Sequence, residues 1–289
     1  MTPPLALDHV VLVVSELPTA IRQFNQMGFT VTPGGVHAGG LTHNALVSFA
    51  DGVYLELLAT TNRLSQRLLV LLRRVGLLSL YTARDNAFSR RFKASIAAGF
   101  GLSDYCLCAA DLDLELPALL RGGLIMEGPI PGGRIRPDGQ QVSWRVAIPA
   151  TVDLPFLIDD ITLRELRVPN APPEGHKNQV IGVAGITLGV RSLEESISRY
   201  RLLTGADPDP ISQLPLPGIQ NIEFSLGATR LSLVQPGRAS QAMRKAVGRR
   251  LARPLIIWLQ TLAVEPSGLL GLTYLPGKGV TLSRGNPFA

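Results

Sequence analysis

One eleven-residue pattern occurs three times without a gap, and it constrains the fold more than any other feature of the chain. It reads Leu7-Asp-His-Val-Val-Leu-Val-Val-Ser-Glu-Leu17, then Leu102-Ser-Asp-Tyr-Cys-Leu-Cys-Ala-Ala-Asp-Leu112, then Val183-Ala-Gly-Ile-Thr-Leu-Gly-Val-Arg-Ser-Leu193. Each copy is a β-like run and a polar step into Leu, followed by helix-like residues that stop at Gly28, at Gly122-Gly123 and at Gly205. Recurrence of this kind marks a repeated supersecondary unit, and glycine just past a helix is ordinary punctuation. Further strand-like runs follow each helix. Asp51-Gly52 and Asp138-Gly139 between apolar runs are hairpin signals. The predicted unit is therefore βαβββ, three times over, and the class is α+β with modules curling into cupped mixed sheets. The tail suggests a degenerate fourth module, with a helix over Ala239–Arg250 and strands over Leu255–Ala263 and Gly279–Leu282. Residues 62–101 form a helical insertion after module one. The loop Pro169–Lys177 separates a first domain, 1–175, from a second, 176–289.

Charge is unevenly spread along the chain. Residues 61–101 carry eight basic side chains against Asp85, and residues 236–254 carry six with no acid. Such segments are ordinarily solvated helix faces, and otherwise point to an anionic partner. Aromatics are only 6% and do not interleave with the arginines, so no nucleic-acid partner is expected. Membrane-surface contact through the basic helices of 62–101 or 238–253 is the less favoured reading. Uncharged apolar stretches such as Pro254–Val264 fall short of the roughly 18–20 apolar residues of a spanning helix. Two cysteines make no disulfide framework, and no signal peptide is apparent, so a cytoplasmic location is expected.

The repeated units beginning Leu-Asp-His-Val resemble the vicinal oxygen chelate superfamily of glyoxalases, bleomycin-resistance proteins and extradiol dioxygenases. More narrowly, Leu7-Asp-His-Val-Val-Leu-Val-Val, Gly28-Phe-Thr-Val-Thr-Pro-Gly-Gly, Gly40-Leu-Thr-His-Asn44 and Tyr54-Leu-Glu-Leu57 resemble the glyoxalase-like domain family. Arg136-Pro-Asp-Gly139 with Trp144, and His176-Lys-Asn178, fit the same family. The resemblance implies two modules forming a cup with a divalent metal at its floor, held from first- and last-strand positions. In module one those positions carry His9 and Glu56. Gapless alignment carries His9 to Asp104 and Gly185, so a four-ligand set is absent and His9, Glu56 and Asp104 are the candidate ligands. The implied cofactor is Fe, Mn, Ni or Zn, with a metal-free cup as the equal alternative.

The implied activity is a metal-dependent lyase, isomerase or dioxygenase acting on a small, oxygenated, anionic substrate. The alternative is a metal-free binding protein of the bleomycin-resistance type, and a homodimer is compatible with either. His43 and Glu56 are the candidate catalytic groups, with Asn44, Trp144 and Arg145 as substrate contacts. Cys106 and Cys108 are expected in the core, and His176 and Asn178 to tie the halves together. His37 is expected to be exposed in the glycine-rich loop. Strand alternation puts His9, Val11 and Val13 on one face and Asp8 and Val10 on the other, while Tyr54, Glu56 and Leu58 share a face. A polar residue on an apolar inward face needs a partner, so His9 and Glu56 should lie within about 6 Å of each other in one cavity.

Overall fold

The computed structural model describes residues 5–209, 219–236, 254–262, 269–275 and 279–284. Module one is β1 (Ala6–Val13), α1 (Leu17–Gln26), β2 (Thr32–His37), β3 (Thr42–Ser48) and β4 (Tyr54–Thr60). The insertion follows as α2 (Arg63–Arg74), the single turn α3 (Leu78–Tyr81) and α4 (Ala87–Ala97). Module two repeats the order: β5 (Gly101–Cys108), α5 (Leu112–Arg121), β6 (Met126–Ile135), β7 (Gln141–Pro149) and β8 (Phe156–Asp160), then a short α6 (Arg164–Arg167). The two modules close into one eight-stranded barrel, in the order β1-β4-β3-β2-β6-β7-β8-β5. Within each module the first and last strands run parallel, β1 with β4 and β5 with β8. The modules join antiparallel at β1–β5 and at β2–β6.

A six-stranded sheet holds the rest: β9 (Val180–Gly189), α7 (Leu193–Thr204), β10 (Ile219–Leu226), β11 (Thr229–Pro236), β12 (Pro254–Thr261), β13 (Leu269–Leu275) and β14 (Gly279–Arg284). Its order is β10-β11-β9-β12-β13-β14. The expected helix Ala239–Arg250 lies outside the described residues. One apolar cluster joins the two sheets, with Leu57, Ala147 and Leu157 from the barrel and Ile186, Ile257 and Leu259 from the second sheet. His176 fastens the connection between them. Its Nδ1 accepts from the Thr30 N–H at 3.0 Å and its Nε2 meets the Ser48 carbonyl at 3.1 Å.

Alternation along the strands decides what faces the barrel interior. Leu7, Val10 and Leu12 turn outward and pack with Leu17, Ala20 and Phe24 of α1. Val11, Val13 and Leu58 turn inward, where Phe92 of α4 and Phe100 meet them, and Phe88 packs on Trp144, Cys106 and Phe156. The insertion thus plugs the barrel with one helix and lays another, α2, across it. That outer helix leaves Leu64, Leu68 and Leu71 exposed beside its arginines. No helix among the described residues is long and apolar enough to cross a membrane.

The first part of the glycine-rich stretch expected as a loop, Pro33-Gly-Gly, is instead in strand β2, while Gly39-Gly40 form the turn after it. Gly35 explains why: at φ 131° it lies so close to β6 that a Cβ would sit 2.0 Å from the Ile135 carbonyl oxygen. Glycine here lets the two modules join edge to edge.

Candidate functional site

The interior cluster starts with an irregularity in β1. Leu7 pairs with Leu107 and His9 with Cys106, which leaves Asp8 as an extra residue in a β-bulge. The bulge overturns the simple alternation expected for Asp8. Its carboxylate joins the buried cluster, accepting from His9 Nδ1 at 2.6 Å and from both terminal nitrogens of Arg167 at 3.0 Å. Burial alone would raise the Asp8 carboxyl, but Arg167 and His9 outweigh it and hold it well below the usual range. An ionised Asp8 can only accept, so His9 carries a proton on Nδ1 and turns Nε2 into the barrel.

Glu56 answers it from β4. His9 Nε2 stands 3.7 Å from Glu56 Oε2, and His37 Nε2 stands 3.4 Å from Glu56 Oε1. The expected proximity of His9 and Glu56 is met, and His37, expected to be exposed, is the residue sequence reasoning missed. His37 Nδ1 is engaged by Thr42 Oγ1 at 3.0 Å. Asn44 donates its amide to Glu56 Oε1 at 2.6 Å, while its other face packs against Gly34, where a Cβ would lie 2.1 Å from Oδ1. Both imidazoles therefore have one nitrogen held elsewhere and the other turned on a single carboxylate.

Two arginines complete the wall. Arg167 is 1% exposed with all its donors engaged, on Asp8, Asp160 and the Tyr54 hydroxyl. Arg134 lies directly across the β2–β6 junction from His37. With Tyr54, Phe88, Phe92, Trp144, Phe156 and Ile158 these groups enclose a cavity of about 30 Å³. That space holds a water or two, or one ion. Tyr54 stacks on His9 with centroids 4.7 Å apart and rings 17° from parallel.

Three expected site residues are elsewhere. Asp104 is clamped by Arg91, at 2.6 and 2.7 Å, in a bidentate pair delivered by α4, so it is not available beside His9. His43 lies between Thr42 and Asn44 on β3, so alternation turns it away from the cavity, which it does not line. Arg145 faces outward and pairs with Asp113 at 2.7 Å and with Asp159, whereas its neighbour Trp144 does line the cavity. Cys106 is buried in the core, and burial pushes its thiol well up.

Burial lowers the basicity of His37, helped by Arg134 and opposed by Glu56. It does the same to His176, against the Ser48 hydrogen bond. A histidine whose folded pKa is depressed takes up a proton on unfolding, so its stabilisation is present at neutral pH and is lost as pH falls below the ordinary value of 6.5. Thermal unfolding should therefore show Tm falling from pH 7 to pH 5, with a shallower slope in His176→Asn. A flat or rising profile over that range contradicts this placement of the imidazoles.

The glyoxalase-like domain family model matches residues 7–204, and the chain belongs to that family, within the vicinal oxygen chelate superfamily. Among solved structures, a hypothetical protein from Staphylococcus aureus matches with a TM-score of 0.67 at 14% identity, over 97% of this chain and 99% of that one. That likeness extends the shared fold through the second sheet. A variant of 4-hydroxymandelate synthase from Streptomyces coelicolor matches with a TM-score of 0.48 at 12% identity, over 82% of this chain and 64% of that one. Methylmalonyl-CoA epimerase from the same organism matches with a TM-score of 0.35 at 18% identity, over 55% and 99%. No curated protein matches the chain.

Proposed function

We propose that the barrel interior is the active site of an enzyme acting on a small oxygenated substrate, with a divalent cation held by His9, His37 and Glu56. One observation carries this reading: two imidazoles, each with Nδ1 engaged, present Nε2 to the same buried carboxylate. Metal-binding histidines are ordinarily oriented in this way, by an acceptor on the far nitrogen. Among the described residues no three His, Cys, Asp or Glu side chains already stand at coordinating distance about one point. The gaps of 3.4 and 3.7 Å are nonetheless near the roughly 3.0–3.4 Å between ligands bonded at about 2.1 Å to a shared ion. A small inward shift of the side chains closes them, and two imidazoles with a carboxylate suit Zn, Fe, Mn or Ni.

Bound there, the cation would polarise a substrate oxygen as a Lewis acid. The chain supplies the rest. Asp8 and Thr42 fix the two rings. Asn44 pins Glu56 Oε1, the oxygen nearer His37, so ligation through that oxygen would leave Oε2 as the base that can accept a substrate proton. Phe88, Phe92, Trp144 and Phe156 give the cavity an apolar wall, which strengthens each charge interaction inside.

Elemental analysis of protein purified without chelators tests the proposal. About one equivalent of a single transition metal is expected, lost in His9→Ala and in Glu56→Ala and retained in His43→Ala. Metal-free wild type that is still stabilised by small molecules would favour the metal-free binding protein instead.

A further inference from the structure

Of the three arginines packed deep around the barrel, one has no acid. Arg91 is paired with Asp104, and Arg167 with Asp8 and Asp160. Arg134 is only 4% exposed, yet it forms no ion pair among the described residues. Its Nη2 donates to the Arg167 carbonyl, and its Nε is buried without any partner. A guanidinium taken out of water without a paired counter-charge is costly, and Glu56, which lines the same cavity, attracts it without forming an ion pair.

The position of Arg134 is equally specific. It sits across the β2–β6 junction from His37, so its side chain stands beside the proposed metal ligands. It is also the one residue shared by the interior cavity and an outer cleft of about 350 Å³, lined by Pro33, Leu166 and Pro169 and edged by Arg136, Asp138 and Glu165. The interior has room only for a carboxylate's two oxygens in place of its water, whereas the cleft is large enough for the body of a small molecule.

We infer that Arg134 is the anchor for a carboxylate on the ligand, which is seated with its anionic head beside His37 and its body in the outer cleft. A planar carboxylate matches the fork of a guanidinium whose Nε and terminal nitrogens lie in one plane. The bulkier tetrahedral phosphate suits the small interior less well. This inference rests on the barrel interior being the active site, but not on the cation.

Benzoate and its neutral isostere benzamide are the probes, followed by calorimetric titration and by the Nε–H resonance of Arg134 in the wild-type protein. Benzoate should bind, should shift that resonance and should be weakened about tenfold or more in Arg134→Met, as expected for loss of a charge-assisted pair. Benzamide should do neither, Arg145→Met should bind as wild type, and the metal content of Arg134→Met should be unchanged. Benzoate binding that leaves the Arg134 resonance unmoved, or no difference between benzoate and benzamide, overturns the inference without the variant having to fold. Benzoate binding through Arg134 in a protein that holds no metal would uphold the inference and defeat the metal reading alone.

Discussion

Replacing Arg167 by Met is expected to cost about 3–5 kcal/mol of stability, the range for removing one partner of a buried charge network. Arg167 is 1% exposed and satisfies two carboxylates and a phenol at once. Methionine fills much of its volume but leaves Asp8 and Asp160 inside the fold, with Arg164 as their only remaining arginine among the described residues. For a chain of this size the loss corresponds to a fall in Tm on the order of 10 °C. It should also loosen His9, whose orientation depends on Asp8. Differential scanning calorimetry reads the first effect, and a Tm within about 2 °C of wild type, less than about 1 kcal/mol would produce, contradicts the assigned role.

The same cluster shows what a strand pattern reveals and what it hides. Period two along β1 and β4 was enough to place His9 and Glu56 in one cavity, because both strands pair regularly there. It misplaced Asp8, since a bulge adds a residue that alternation does not count. His37 was hidden for a different reason. Its strand is rich in glycine, the residue that ordinarily signals a loop, and the close approach of Gly35 to β6 becomes apparent only once the barrel has closed. Asp104 looked like a ligand by its place in the repeat. Its partner, Arg91, comes from an inserted helix whose docking no local pattern describes. Arg134 and Arg167 gave no signal at all, since neither stands at a repeated position. Their value comes from contacts made across the barrel, Arg134 with His37 and Arg167 with Asp8.

His37→Ala should have the largest effect on the site itself. The substitution leaves Glu56 paired with Asn44 and His9 held by Asp8, so the barrel should keep its fold. It removes one of only three candidate donors. Loss of a supporting outer group costs about 10–100-fold in metal affinity, and loss of a direct donor should cost at least the upper figure. Competition with a coloured chelator measures the change. An affinity within threefold of wild type, about 0.7 kcal/mol, would remove His37 from the ligand set.

The most direct measurement is an anomalous difference map from crystals grown without chelator, recorded on either side of the absorption edge of the metal found by elemental analysis. The account predicts one peak inside the barrel, about 2.0–2.2 Å from His9 Nε2, His37 Nε2 and a Glu56 oxygen. A peak at another group of residues, or an interior in which only water lies between the two imidazoles and the carboxylate, would contradict it.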